Sequence, residues 1–218
     1  MKRKRVTETN EGIQEEITVE QYDVMQRGLR DRGLLETKSI VQNGISSGHV
    51  VELGPGPGYL GLEWLKSTED SSLTGVEISS AMIAMAERNR ADYSLQERAK
   101  YLEASVLDLP LENESVDAVF SNGSLHEWEN PVRVMDEVYR VLKPGGRFFI
   151  SDLKRNLSIL ILLIMKFTVK GDAIKKGLVT SVRAAYTVDE MRRLLEWSRF
   201  GRFSVKESPF GIEIRGWK

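Results

Sequence analysis

Apolar and polar positions along the chain switch between two periods, and the switching predicts the elements. Thr18-Val-Glu-Gln21 has the spacing of a capping box and opens a helix to about Asp31; a second helix runs from about Glu36 to Asn43-Gly44 or Ser47-Gly48. His49-Val-Val-Glu-Leu53 is a short β-rich run that ends in Gly54-Pro-Gly-Pro-Gly58, after which Tyr59 to Leu65 resumes helical spacing. The unit is strand, glycine turn, helix. It then repeats, with Leu73 to Ile78 as strand, Ser79 as N-cap of a helix from Ser80 to Arg90, Lys100 to Ala104 as strand and Val116 to Ser121 as a buried-looking strand. Asn130-Pro131 offers an N-cap and a first-turn proline to a helix carrying Val134, Met135, Val138, Val141 and Leu142. Pro144-Gly145-Gly146 stops that helix and Arg147 to Ser151 is the next strand. Thr187 caps a helix from Val188 to Trp197, and Phe203 to Val205 with Gly211 to Trp217 read as a closing hairpin around Pro209.

Parallel neighbours need crossover connections, so this alternation implies an α/β fold: a Rossmann-like, doubly wound, mostly parallel sheet with helices on both faces. Residues 153 to 186 break the rhythm. Seven consecutive apolar residues, Ile159 to Met165, stand in a basic setting of Lys154, Arg155, Lys166, Lys170, Lys175 and Lys176. A membrane span needs roughly 20 apolar residues, so the run is expected to form a helical cap over the sheet edge and to wall an acceptor pocket. As a helix, Leu157 to Met165 would be apolar on all sides and must be covered by protein, ligand or lipid. Burial in its own fold, a dimer contact and a membrane contact through 157–165 all satisfy that. The expected organisation is one domain: N-terminal helices over the site (1–48), a Rossmann-like core (49–152), the cap (153–186), and a closing helix and hairpin (187–218).

Composition narrows the chemistry. At 218 residues the chain suits one α/β domain, and 41% hydrophobic with 29% charged residues is ordinary globular content. With no cysteine, a disulfide scaffold, a Cys-ligated metal site and a thiol nucleophile are excluded. The net charge of −1 conceals an asymmetry: residues 1–152 sum to −9 and residues 153–218 to +8. A basic C-terminal part can attract an anionic substrate or surface, or simply solvate helices. Met1-Lys-Arg-Lys-Arg5 runs into Val-Thr-Glu-Thr-Asn10 without an apolar stretch, so it reads as a solvated tail rather than a secretory signal, and a cytoplasmic location, peripheral to a membrane if the cap docks there, is expected.

The glycine turn carries two readings. Gly56-Pro-Gly-Tyr-Leu-Gly61 matches G-x-G-x-x-G with Glu77 lying 21 residues after Gly56, the pattern of a dinucleotide fold, although there the first glycine should directly follow the strand. Here Gly54 does so, with Glu52 inside the strand. Glu52-Leu-Gly-Pro-Gly-Pro-Gly58 resembles the first motif, E/D-x-G-x-G-x-G, of the class I S-adenosylmethionine-dependent methyltransferases, of the type 11 and ubiquinone/menaquinone-methyltransferase-like group. The resemblance continues in register through Val76-Glu77-Ile-Ser-Ser-Ala-Met82, Asp108-Leu-Pro110, Leu125-His126-Glu-Trp-Glu-Asn-Pro131 and Arg140-Val-Leu-Lys-Pro-Gly-Gly146. It covers residues 40–152 well and 187–217 weakly.

That resemblance implies a seven-stranded sheet and S-adenosylmethionine as methyl donor, S-adenosylhomocysteine as product. Gly54, Gly56 and Gly58 would let the backbone approach its methionine portion, with Glu52 acting through the turn and water near the ammonium and Asn122 offering a backbone carbonyl there. Glu77 would accept both ribose hydroxyls, Asp108 the adenine amino group with Leu109 beside it, and Ile78 and Met82 would flank the ring. Singly, each of these residues also has a structural reading, as a turn acid or core side chain. His126 stands where the family faces its acceptor and would serve as a general base or as a packing residue. Tyr22 would close over the methyl group or pack on the sheet edge. His49, beside the first strand, is expected at the surface.

Ser121-Asn-Gly-Ser124 stands where base-methylating enzymes carry N/D-P-P-Y/F/W, so no DNA partner is expected. The missing cysteines exclude thiolate-based cytosine methylation and arsenic methylation through protein thiols, and no metal-ligand set is expected. The reading is methyl transfer to a small, partly apolar, lipid- or quinone-like acceptor. The alternatives are a protein or RNA methyltransferase, and a module that binds S-adenosylmethionine without turnover.

Overall fold

The computed structural model describes residues 4–6, 13–169 and 171–218. Its elements run α1 (Glu16–Asp31), α2 (Thr37–Gln42), β1 (Gly48–Leu53), α3 (Tyr59–Lys66), β2 (Ser71–Glu77), α4 (Ser80–Asp92), β3 (Ala99–Glu103), β4 (Val116–Asn122), a 3-10 turn (Leu125–Glu127), α5 (Pro131–Val141), β5 (Leu142–Leu153), α6 (Ile159–Thr168), α7 (Asp172–Ala184), α8 (Val188–Leu195), β6 (Phe203–Glu207) and β7 (Gly211–Trp217). The seven strands form one sheet in the order β3-β2-β1-β4-β5-β7-β6. The first five are mutually parallel; β7 runs antiparallel to β5 and closes with β6 as a hairpin. Five crossovers thus end in a locally paired edge.

Alternation within each strand divides the core. Val51, Leu53, Val119, Phe148 and Ile150 face Val134 and Val138 of α5 and Met191 and Leu195 of α8. Val50, Leu73, Phe120 and Phe149 face Leu62, Trp64 and Leu65 of α3 and Ile40 of α2. Successive strand residues point to opposite faces, so a sheet covered on both sides reads as a nearly continuous apolar run. Trp64 is fully buried and donates its indole N–H to the Ile45 carbonyl at 2.8 Å, which ties α3 to the loop before β1.

Local signals explain most boundaries. Ser79 Oγ accepts from the Met82 N–H at 3.1 Å, Asn130 Oδ1 accepts from the Arg133 N–H with Pro131 in the first turn, and Thr187 with Glu190 forms a complete capping box. Three expectations fail. Thr18 does not cap: α1 starts at Glu16 behind Glu15, and the Thr18 hydroxyl inside the helix donates to Glu15 at 3.3 Å. Pro144-Gly145-Gly146 does not end α5; Leu142 is already extended and pairs with Val116, so these residues lie within a long β5. The cap is two helices, and α6 has no buried residue, so the apolar run is not packed over the sheet edge.

The basic N-terminus is also more than a solvated tail at Arg5, the part of it that is described with Lys4. Arg5 Nε donates to the Ala184 carbonyl at 2.6 Å, its Nη2 to the His126 carbonyl at 2.9 Å, and its guanidinium lies 4.1 Å from the centre of the Tyr186 ring. Residues 1–3, 7–12 and Lys170 lie outside the described residues.

Candidate active site

The sheet order reverses between β1 and β4, and in such sheets the crevice at the carboxyl ends of those strands is where ligands bind. β1 ends at Leu53, and the chain turns into α3 through Gly54 and Gly58, whose φ angles of +63° and +84° are readily reached by glycine. A Cβ on Gly54 would stand 2.5 Å from Ser124 Oγ, so the turn lies directly on the segment after β4. From α1, Tyr22 closes the other side: a Cβ on Gly56 would meet its ring at 3.4 Å. Tyr22, Gln26, Glu52, Gly54, Gly56 and Asn122 line the remaining cavity of about 20 Å³. That is room for one water molecule.

Glu52 is 2% exposed at the end of β1, and its Oε2 has no hydrogen-bond partner among the described residues. Burial pushes its carboxyl up to about 8; the Gly61 backbone N–H opposes the rise and the nearby Glu77 charge adds to it. A cationic ligand beside this buried carboxyl would favour its ionised form and draw that value down. Glu77, ending β2, is held by three backbone N–H groups: Gly56 at 3.1 Å on one oxygen, Ile78 at 2.9 Å and Ser79 at 3.0 Å on the other. Burial raises its pKa while these donors oppose the rise. A carboxylate has about four lone-pair sites, so the bidentate contact expected of Glu77 would have to share or displace one of these donors.

The other expected cofactor residues are distributed unevenly. Ile78 is exposed beside Glu77 and Asp108 is exposed after β3. Met82 is 3% exposed and packs with Val19 and Met85 beneath α1. Leu109 is likewise in the core with Trp128 and Val134, its N–H donating to Glu137 at 2.9 Å. Asn122 lines the cavity and donates to Ser151 Oγ at 2.8 Å. His49 is half-buried, not at the surface: its Nε2 lies 2.9 Å from Thr74 Oγ1, and burial lowers its pKa.

His126 sits in the 3-10 turn and is 5% exposed. Asp152 of β5, which the sequence reading missed, accepts from the His126 backbone N–H at 2.7 Å and lies 2.9 Å from Nδ1. One carboxylate therefore sets both the loop and the ring, and it favours the tautomer with the proton on Nδ1. The available signal was an acid closing the apolar run Phe148-Phe149-Ile150 at a strand's carboxyl end. Burial pushes the Tyr22 phenol up to about 12, opposed by its hydrogen bond with Gln26 and aided by the charges of Glu127, Asp152 and Glu77. It is neutral near pH 7 and lines the cavity.

Helix α1 is itself latched. Buried Asp23 accepts from Asn89 Nδ2 of α4 at 3.0 Å and pairs with Arg27, while Asn89 also donates to the Pro57 carbonyl in the glycine turn at 2.8 Å. One polar cluster joins α1, α4 and the turn.

Residues 51–150 match the family model of the methyltransferase domain. The chain is 30% identical over 166 residues to an arsenite methyltransferase of Halobacterium salinarum (76% of this chain, 40% of that one). It is 26% identical over 166 residues to a ubiquinone/menaquinone biosynthesis C-methyltransferase of Brucella anthropi (70% and 63%). It thus spans less than two thirds of these curated relatives. Its fold matches a Methanococcus maripaludis crystal structure provisionally named an S-adenosyl-L-methionine-dependent methyltransferase, with a TM-score of 0.78 at 22% identity, over 98% of this chain and 97% of that one.

Proposed function

We propose that this chain, whose residues 51–150 match the methyltransferase-domain family model, binds S-adenosylmethionine and passes its methyl group to a small, partly apolar acceptor. The observation that carries this reading is the glycine turn closed over Glu52, a buried carboxyl with an unpaired oxygen. When bound, S-adenosylmethionine supplies an electrophilic methyl on a sulfonium; its ammonium, ribose hydroxyls and adenine amino group are all donors or cations. Glu52 and the Asn122 backbone would face the ammonium, Glu77 the ribose, and Asp108 the adenine amino group with Ile78 against the ring. The 20 Å³ cavity is far smaller than such a ligand, so α1 would have to carry Tyr22 outward for entry and back again to exclude water.

On the acceptor side, His126, held through Nδ1 by Asp152 and with Nε2 3.9 Å from Glu127 Oε1, would take a proton from the attacking hydroxyl or activated carbon. Asp152 would then balance the imidazolium charge. Tyr22 and the glycine turn would hold the acceptor in line, where reacting atoms stand roughly 3–3.5 Å apart before attack. The relatives act on arsenite and in quinone biosynthesis, as named. A chain without cysteine cannot use protein thiols on arsenic, and the apolar cap suits a quinone- or lipid-like acceptor better.

Titration calorimetry tests the donor. The wild type should bind S-adenosylmethionine, and Glu77→Ala should bind it about tenfold or more weakly, since losing a buried acceptor costs about 1–3 kcal/mol. Tight NAD binding with no S-adenosylmethionine binding would instead establish the dinucleotide reading.

A further inference from the structure

Helix α6 keeps an apolar stripe exposed to solvent. Leu160, Leu163, Ile164 and Phe167 fall at i, i+3, i+4 and i+7, one face of the helix, and are 64%, 45%, 51% and 87% exposed. The side chains turned toward the protein, among them Ile161 and Leu162, are only half-buried. A monomer gains nothing by presenting four large apolar side chains to water, so this stripe is built for a second phase. Charge identifies the phase. Residues 154–184 hold seven Lys and Arg against one acid, Asp172. Lys154 and Arg155 are spent on Glu207 and Glu190, whereas Lys166, Lys175 and Lys176 have no ion-pair partner among the described residues.

An apolar stripe bordered by unneutralised lysines matches an anionic lipid surface, whose acyl region takes the stripe and whose head groups take the ammonium groups. A polar protein partner would answer the lysines but not the stripe. No described helix is long and apolar enough to cross a membrane, so contact would be in the interfacial plane. The place in the fold is equally informative. α6 leaves β5 at the edge where Asn122 pairs with Ser151, and α7 packs on both α1 and the His126 turn. α7 therefore belongs to the layer that roofs the candidate site, and the stripe on α6 directly precedes it in the chain.

We infer that α6 docks this protein on anionic membrane surfaces, so that a lipid-soluble acceptor reaches the site from the bilayer. The second half of that statement rests on the methyl-transfer reading; the docking itself does not. Sedimentation of the full chain with vesicles tests it, comparing phosphatidylglycerol/phosphatidylcholine with phosphatidylcholine alone. The wild type should pellet with the anionic vesicles and be released by added salt. Leu160→Asp/Leu163→Asp should lower the partition about tenfold or more, and Lys166→Glu/Lys176→Glu should lower it on anionic vesicles alone. The substituted leucines are solvent-facing, so thermal melting and S-adenosylmethionine calorimetry should match the wild type. Absence of wild-type pelleting, unchanged pelleting of both variants, or a stable dimer by light scattering that Leu160→Asp/Leu163→Asp dissociates would overturn the docking. Vesicle binding without S-adenosylmethionine binding would leave docking standing and overturn the reading of the site.

Discussion

Burial holds the Glu52 carboxyl at about 8, so the folded chain keeps a proton that the unfolded chain, with its value near 4.5, has lost at neutral pH. Because the folded value is raised, this contribution to stability is complete below pH 4.5 and is lost as pH rises through 8. Glu52→Gln removes the titration. In urea unfolding, the variant should gain on the wild type by about 1–2 kcal/mol between pH 6 and 8; a gap that does not change with pH would show that Glu52 ionises normally. For the dyad, His126→Asn should cut turnover about 10²–10⁴-fold with S-adenosylmethionine affinity nearly intact. Asp152→Asn keeps the side chain's shape but weakens its hold on the Nδ1 proton, so turnover should fall and the acid limb of the pH–rate profile should move. Matched losses of affinity and melting temperature, with the profile in place, would reduce both residues to loop supports.

At the scale of elements, α1 is the part whose attachment matters most, because it carries Tyr22 onto the glycine turn while its hold on α4 passes through buried Asp23. Asp23→Ala leaves Asn89 and Arg27 short of an acceptor, which costs about 1–3 kcal/mol. Limited proteolysis should then cut first within residues 13–31 of the variant, and bound S-adenosylmethionine should slow that cutting; unchanged digestion would mean that α1 is held by its apolar contacts. Helix α8 offers a cleaner case. Thr187→Ala removes one arm of a complete capping box and should lower stability by about 1 kcal/mol in urea unfolding, without effect on ligand affinity.

For the molecule as a whole, a ligand that binds only the folded state stabilises it by mass action, about 2.7 kcal/mol at a hundred times its dissociation constant. In a chain of this size that raises the melting temperature by roughly 5–10 °C. S-adenosylmethionine should produce the shift and NAD should not. How much of this was legible beforehand follows from the range of the forces involved. Strand and helix periods, the caps at Ser79, Asn130 and Thr187, and the glycine turn after β1 depend on neighbours within a few residues, so the order of elements and the acid-rich carboxyl edge could be read along the chain. Thr18 shows the limit of such reading, since capping-box spacing also occurs inside a helix that begins earlier. Met82 and Leu109 stand at motif positions, and only the tertiary structure shows that α1 and α5 cover them. Asp152 meets His126 across 26 residues, and Arg5 meets Ala184 across 179. Those pairings depend on which strand lies beside which and on where the cap and N-terminal segment come to rest. The apolar run of α6 was evident in one dimension, but only packing decides which face a helix keeps, and here Leu160, Leu163, Ile164 and Phe167 stay exposed.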